Sequence, residues 1–259
     1  MIRFVHLFNY PENVSMEEGE VWYKGEHVPQ VKRLPGVRRY RSWKAVYPPF
    51  RIVAPDPFER FARLSELWFD SLAAAQQAIA SNPALWHPAL EGATGFREFE
   101  GLFLDEEPQF NLLRDVPAQQ YKYITLPMMW PKGIPQIEDK PEDFIINVYM
   151  FNYVPEVPLI DAEDWYLGHH NREGKQIPYV VHYKTWKTLR ASQEPSLPWN
   201  PNRFYRLTEL GVTSLEAYRA TLDMVYETRV RFTPSPLGRV LGEWRNIFIK
   251  PEACEDLLA

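Results

Sequence analysis

The chain has 259 residues, a formal net charge of −5, 45% apolar residues and 15% aromatic residues. The apolar content excludes a disordered chain, and the acidic balance argues against a general nucleic-acid binder. The single cysteine, Cys254, excludes a disulfide framework and a zinc site built from cysteines. No apolar run approaches the roughly 20 residues of a membrane span and no signal peptide is recognisable. We therefore expect a soluble, cytoplasmic protein that binds neither nucleic acid nor membrane.

Strand and helix signals alternate over the first hundred residues. Ser15, followed by acidic residues, predicts the N-cap of a helix that runs towards Leu34 and is stopped by Pro35-Gly36. Asp70-Ser71 can cap a second helix over 72–79. Apolar and alternating segments predict strands over 4–10, 37–46, 63–69 and 96–104. The order βαββαβ is that of the ferredoxin-like split βαβ unit, an antiparallel sheet with both helices on one face.

The chain contains a tandem repeat at a shift of 143 residues. Between 8–44 and 151–187, 15 of 37 positions are identical without a gap, whereas unrelated segments share about one position in twenty. Each isolated sheet would leave one face uncovered, so we expect an α+β fold in which the two copies form a pseudo-symmetric barrel. The second copy is predicted to contain strands over 145–153, 180–189, 206–212 and 243–249, and helices from about Ala162 and from Ser214.

The repeat predicts two domains, 1–107 and 144–259, separated by residues 108–143. This intervening segment carries six prolines, and proline at such a density prevents regular helix, so we interpret it as a linker. Its apolar stretches at 121–124 and 128–130 predict that the linker packs along a domain surface.

The first copy resembles a known family. Residues 22–29 read Trp-Tyr-Lys-Gly-Glu-His-Val-Pro, and a Leu-Pro-Gly-Val turn follows before Tyr40. This pattern resembles EthD-like proteins of the dimeric α/β-barrel superfamily, in which a helix ending in His-x-Pro precedes a Leu-Pro-Gly turn into the second strand. Residues 66–72 also resemble the family's third strand and second helix. The resemblance covers nearly all of 1–107 and, more weakly, 144–250, where Asn171-Arg172 replaces Val-Pro and Tyr179 replaces the turn glycine.

The resemblance implies a cofactor-independent enzyme of a lyase, dehydratase, decarboxylase or isomerase type. Its substrate would be a small aromatic, lactone or polyketide-like compound. The family's usual acid–base histidine corresponds to His27 and, with a weaker match, to His170. The superfamily also contains haem-binding proteins, quinol monooxygenases and members without known activity. The alternatives are therefore a non-catalytic ligand-binding or stress-related barrel, or a haem-dependent or quinol monooxygenase. The sequence is also compatible with a homo-oligomer, in addition to the internal pseudo-dimer.

The candidate catalytic residues occupy equivalent positions in the two copies. Tyr23 and His27 are four residues apart on the predicted helix, as are Tyr166 and His170, so each pair shares a face. Near neutral pH an imidazole can take a proton from a hydroxyl or from a carbon beside a carbonyl, and a tyrosine hydroxyl can stabilise the resulting oxyanion. The alternative is a histidine that only packs or caps.

Candidate substrate-binding residues lie at strand ends and among the repeated aromatic residues. A polar side chain at a strand end can orient a substrate carbonyl or satisfy loop backbone, and aromatic residues can line a pocket or simply form core. The candidates are Asn9, Tyr10, Trp22, Tyr40 and Trp43, with Asn152, Tyr153, Trp165, Tyr183 and Trp186 in the second copy. We expect no metal, because His169 and His170 diverge on a helix, and no nucleotide cofactor, because a glycine-rich loop is absent.

Overall fold

The computed structural model describes residues 1–47, 61–87, 95–114, 116, 137, 141–193, 195, 197–227 and 239–258. Most of the predicted linker, including both of its apolar stretches, lies outside these residues, so its packing and the domain boundaries stay predictions. Within the described part of the chain, no helix is long and apolar enough to cross a membrane.

The first unit has the predicted element order. It consists of β1 (Ile2–Phe8), helix α1 (Met16–Trp22, Tyr23–His27 and Val28–Val31 in succession), β2 (Arg39–Lys44), β3 (Arg63–Phe69), α2 (Leu72–Ala80), a 3-10 turn (Pro83–Trp86) and β4 (Phe99–Asp105). The predicted caps are present. The Ser15 hydroxyl accepts from the Glu18 N–H at 3.2 Å, the Glu18 carboxylate accepts the Ser15 N–H at 2.9 Å, and Ser71 caps α2. Helix α1 ends at Val31, before the predicted Leu34.

The second unit repeats the same order. It consists of β6 (Ile145–Tyr153), helix α3 (Leu159–Asp164, Trp165–His170 and Asn171–Gly174 in succession), β7 (Val180–Lys187), β8 (Arg206–Val212), α4 (Leu215–Glu227) and β9 (Leu241–Ile249). Helix α3 begins earlier than the predicted Ala162. Its N-cap is Pro158, which makes no side-chain cap hydrogen bond, so the sequence carried no Ser, Thr, Asp or Asn signal at the true start.

Each unit contributes an edge strand to the other unit's sheet. The sheets are antiparallel and include two further short strands, β5 at residues 110–111 and β10 at residues 255–256; the strand orders are β10-β2-β3-β1-β4 and β5-β7-β8-β6-β9. The short strand β5 (Phe110–Asn111) follows the first unit but pairs with β7, and β10 (Glu255–Asp256) follows the second unit but pairs with β2. The two units are therefore joined by reciprocal strand exchange.

The inner faces of the two sheets pack against each other, as predicted. Backbone hydrogen bonds close both edges, from Leu189 to Phe103 at 2.8 Å and from Val46 to Phe248 at 2.7 Å. The shared core includes Val5, Leu7, Trp43, Leu64 and Leu102 of the first unit, and Ile146, Val148, Met150, Trp186 and Ile247 of the second. The fold is therefore α+β, two tandem ferredoxin-like units that form a pseudo-symmetric dimeric α/β barrel.

The turn after the first helix keeps its backbone conformation in both units although its residue differs. Gly36 has φ of 78°, and Tyr179, at the same position of the repeat, has φ of 68°. Glycine adopts this left-handed conformation at no steric cost, whereas tyrosine adopts it only with a steric cost from its Cβ atom. The second unit therefore holds Tyr179 in a strained backbone conformation.

Candidate functional site

A π-helical turn in α1 positions His27. The Val28 N–H donates to the carbonyl of Tyr23, five residues back. Side chains five residues apart in a regular α-helix point about 140° apart. Here the His27 imidazole lies beside both Trp22 and Tyr23, with ring centroids 5.4 and 5.5 Å away. The predicted contact between Tyr23 and His27 is present as ring stacking, and the contact with Trp22 follows from the π-helical turn.

Aromatic rings surround the His27 imidazole. Phe96 meets it edge-on with a centroid distance of 4.7 Å, and Trp86 does so at 5.9 Å. The side chain is 1% exposed, and burial lowers the pKa of His27 to about 3, so the imidazole is neutral near pH 7. Its Nε2 atom has no hydrogen-bond partner among the residues that the structure describes.

A second buried imidazole lies in the same cluster, and the sequence did not predict it. His6, on β1, is fully buried, and neither of its ring nitrogens has a partner within the described ranges. Phe4 and Phe99 stack on it at 5.2 and 5.1 Å. Burial, together with the neighbouring His27, lowers the pKa of His6 well below its ordinary value. The alternation of side chains along β1 could have indicated that His6 faces the helices. The repeat gave no indication, because Tyr149 occupies the equivalent position in the second unit.

The Tyr23 hydroxyl is occupied by other side chains. It lies 2.6 Å from the Tyr40 hydroxyl and 2.9 Å from Ser65 Oγ, which in turn lies 2.8 Å from Ser42 Oγ. Tyr23 is fully buried. The aromatic ring of Tyr23 contacts His27, whereas its hydroxyl group belongs to this network.

A buried arginine–glutamate pair anchors the same network. Arg63 donates to both carboxylate oxygens of Glu20, at 2.6 and 2.7 Å, and its guanidinium lies 4.5 Å above the Tyr23 ring. The Tyr10 hydroxyl donates to Glu20 at 2.8 Å. Burial alone would raise the pKa of Glu20, but hydrogen bonds from Arg63 and Lys44 outweigh it and hold the pKa at about 2. The pair therefore stays ionised and fixes α1 against the sheet.

The sequence analysis missed this ion pair, although the repeat contained the signal. Glu20 and Arg63 recur at the 143-residue shift as Glu163 and Arg206. Arg206 binds both oxygens of Glu163, at 2.7 and 2.6 Å. The remaining members also recur: Tyr153 donates to Glu163, and the hydroxyls of Tyr166, Thr208 and Thr185 form a chain with spacings of 2.8 Å.

His170 has the same position in the second unit as His27 has in the first, at the end of a π-helical turn and beside a tryptophan and a tyrosine. The Asn171 N–H donates five residues back to Tyr166, and the His170 imidazole stacks on Trp165 at 4.9 Å and on Tyr166 at 5.8 Å. Burial, with a smaller effect of His169, lowers the pKa of His170 to about 4. As predicted, the two adjacent histidines diverge, since His169 lies 3.5 Å from Glu173 instead.

The structure separates several predicted pocket residues from His27. Trp43 and Trp186 lie in the core between the sheets, whereas His27 lies on the helix side, because alternate residues of a strand point to opposite faces. Asn9 donates to the Glu98 carboxylate at 2.8 Å, and Asn152 donates to the Arg203 carbonyl. These asparagines satisfy neighbouring loop groups. Of the predicted substrate-binding residues, Trp22 is the one whose ring contacts His27.

Potential metal ligands are not clustered in the part of the chain that the structure describes. Within it, no group of three or more His, Cys, Asp or Glu side chains is arranged to hold an ion. The buried histidines of the first unit are instead surrounded by aromatic rings.

Comparisons with known proteins agree with the fold and with the predicted family. Residues 11–84 match the model of the EthD domain. This segment of the first unit is therefore similar to the EthD domain. The crystal structure of an anthrone oxidase-like protein is similar, with a TM-score of 0.51 and 12% identity over 99% of this chain and 93% of that one. A mutant chlorite dismutase from Candidatus Nitrospira defluvii aligns with a TM-score of 0.45 and 11% identity over 96% and 92% of the chains. No curated protein matches the sequence.

Proposed function

We propose that the EthD domain of the first unit is the active site of a cofactor-independent enzyme for a small aromatic, lactone or polyketide-like compound. The observation that carries the proposal is the His27 imidazole, which is neutral, buried among aromatic rings and unpaired at Nε2 within the described residues. The aromatic rings around His27 favour a flat, apolar substrate. The unprotonated nitrogen of a neutral imidazole can accept a proton from that substrate.

The low pKa of His27 restricts the chemistry. With a pKa of about 3, charging the isolated imidazole at pH 7 costs about 5 kcal/mol. An enolate or phenolate formed beside it in this low-dielectric site would offset that cost by direct charge attraction. The proton therefore moves from a substrate O–H or activated C–H to His27 Nε2, stays paired with the anion, and returns in a later step. Lyase, dehydratase, decarboxylase and isomerase reactions can each begin in this way.

Tyr23 and Trp22 have positioning roles in this proposal. Their rings flank the His27 imidazole and fix its orientation, while the Tyr23 hydroxyl remains bonded to Tyr40 and Ser65. We extend the acid–base role to His170 with Tyr166 as a second, independent site, because the same turn places the imidazole against the same two rings.

Replacement of His27 tests the proposal. In a chain that already carries His170→Gln, so that only the first unit can act, we expect His27→Gln to abolish turnover of hydroxylated polycyclic aromatic or aryl-lactone substrates, with an unchanged circular dichroism spectrum. The matched control His170→Gln leaves turnover by the first unit intact. Turnover in the double variant equal to that of His170→Gln alone would overturn the assignment. The haem-dependent alternative predicts a Soret band after addition of haem to the purified protein.

A non-catalytic ligand-binding protein is the second candidate. It is favoured by the strong burial of His27, whose pKa is lowered by burial alone. This candidate predicts that aromatic compounds bind to the first unit and are recovered unchanged, and that His27→Gln weakens binding without affecting any reaction.

A further inference from the structure

The indole of Trp86 lies between the two buried imidazoles of the first unit. It meets His6 at 5.7 Å and 77°, and His27 at 5.9 Å and 78°. The indole is fully buried, and it also contacts Phe4 and Phe99, each at 5.7 Å. A flat bicyclic ring thus occupies the space bordered by both histidines.

Several buried polar atoms around this ring have no hydrogen-bond partner among the residues that the structure describes. Both nitrogens of His6 and Nε2 of His27 are buried without a hydrogen bond in the described part of the chain, as is Nε1 of Trp199, which reaches this cluster from the second unit. The ring carbons of Trp86 cannot donate to or accept from them, and its Nε1 donates to the Ile79 carbonyl instead. Buried polar groups normally form hydrogen bonds. We therefore expect a ligand with polar atoms to pair with the unpaired nitrogens that are concentrated here.

We propose that Trp86 holds the place of a planar, polycyclic aromatic ligand, and that His6 and His27 recognise polar substituents at two different edges of that ligand. This inference rests on the proposed function and specifies its substrate class. A neutral imidazole offers one donor and one acceptor, so each histidine can pair with a hydroxyl, and the protonated nitrogen can also pair with a carbonyl. His6 is then a specificity-determining residue, whereas His27 is the acid–base residue.

The proposal requires the indole of Trp86 to move out of the cluster when the ligand enters. Trp86 sits at the end of the turn Pro83–Trp86, and its Nε1 donates to the Ile79 carbonyl at 3.1 Å near the end of α2. Ligand entry requires that bond to break and the indole to move out. A variant without the indole therefore binds the ligand without this cost.

The second unit lacks this arrangement. Tyr149 stands at the position of His6, and burial together with the hydroxyls of Tyr166 and Tyr183 raises the pKa of Tyr149 well above its ordinary value. The position of Phe4 is taken by Asn147, which accepts from Asn246 at 3.2 Å. Two-point recognition by imidazoles is therefore confined to the first unit.

Three probes of the same shape test the inference. Naphthalene has no hydroxyl group, 2-naphthol has one, and 2,6-dihydroxynaphthalene has one at each end. Their affinities are measured by calorimetry for the full chain, for Trp86→Ala and for Trp86→Ala/His6→Phe. Trp86→Leu serves if the alanine variant does not fold. The matched control is Tyr149→Phe in the second unit.

We expect Trp86→Ala to bind all three probes at least about tenfold more tightly than the unmodified chain. Adding His6→Phe should lower the affinity for the diol by about three- to tenfold, to that of 2-naphthol, and leave naphthalene unchanged. Equal loss for all three probes, or none, would overturn recognition by His6. Unchanged affinity after removal of the indole would overturn the role of Trp86.

The outcome is separable from that of the proposed function. If the His27→Gln/His170→Gln chain retains the turnover of His170→Gln, the acid–base role of His27 fails while the probe series still measures recognition. If the diol and 2-naphthol bind equally whether or not His6 is present, this inference fails while the acid–base role of His27 stands.

Discussion

The two units share the same buried ion pair. They differ in the side chains that surround the histidine of their first helix, which is His27 in α1 and His170 in α3. Glu20 with Arg63 and Glu163 with Arg206 have nearly the same geometry. By contrast, Phe99, which pairs with Phe8 in the first unit, corresponds to Trp244, which pairs with Phe151 in the second, and His6 corresponds to Tyr149. The ion pair serves the fold, since both helices need it, whereas the lining around the histidine is free to differ. The unit-specific lining is therefore where we place the function.

The largest difference in stability should come from the carboxylate of the ion pair. Glu163→Gln leaves the fully buried Arg206 without a carboxylate among the described residues, and we expect the free energy of unfolding to fall by about 3–5 kcal/mol. Glu20→Gln should cost less, because Arg63 also lies 3.2 Å from Glu255 of strand β10. Urea denaturation of both variants measures the difference.

A double variant checks the reason for that difference. Glu20→Gln/Glu255→Gln should be as unstable as Glu163→Gln, because Arg63 then also lacks a carboxylate. Equal effects of Glu20→Gln and Glu163→Gln would show that the exchanged strand β10 contributes nothing to the ion pair.

The second prediction concerns acid stability. Unfolded histidine takes up a proton below about pH 6.5, whereas folded His27 does so only below about pH 3. Proton uptake therefore favours unfolding as the pH falls, by about 3 kcal/mol between pH 6.5 and 4. We expect His27→Gln to remove this loss, as measured by urea denaturation across that range.

The equivalent histidine provides the comparison. His170 has a folded pKa of about 4, so the advantage of His170→Gln over the unmodified chain should stop growing near pH 4. The advantage of His27→Gln should continue to grow towards pH 3. Identical profiles for the two variants would show that the two imidazoles are equally buried.

A smaller effect is expected from the tyrosine hydroxyl. Tyr23→Phe removes the bonds to Tyr40 and Ser65 and should lower the free energy of unfolding by about 1–2 kcal/mol. Because the ring that flanks His27 remains, turnover should persist. Loss of turnover at unchanged stability would instead give the Tyr23 hydroxyl a direct catalytic role. Tyr166→Phe is the matched control.

The smallest effect concerns the start of the first helix. Ser15→Ala removes a side-chain cap and should cost about 1 kcal/mol, whereas Pro158→Ala removes no capping hydrogen bond from α3. The melting temperatures of the two variants check this difference. A larger effect of Pro158→Ala would mean that the backbone restriction of proline matters more than the cap.

Much of the fold was predictable because its signals are local or repeated. β3, β6 and β8 have the predicted bounds, and Ser15 caps α1 as expected. The start of α3 was wrong because Pro158 gives no cap signal. Near the site, the stacking of Tyr23 on His27 followed from their spacing, but the contact with Trp22 depends on a π-helical turn that spacing does not reveal.

The sequence by itself determined the duplication, the element order, the EthD resemblance and the placement of the two helix-one histidines, because each depends on residues close together or on an internal match. Only the tertiary structure decided that Trp86 contacts both His6 and His27, that Trp199 packs on Trp86, that Trp43 faces away from His27, and that β5 and β10 exchange sheets. These features join residues far apart in the chain. They depend on which face of a strand is buried and on how the two sheets close against each other.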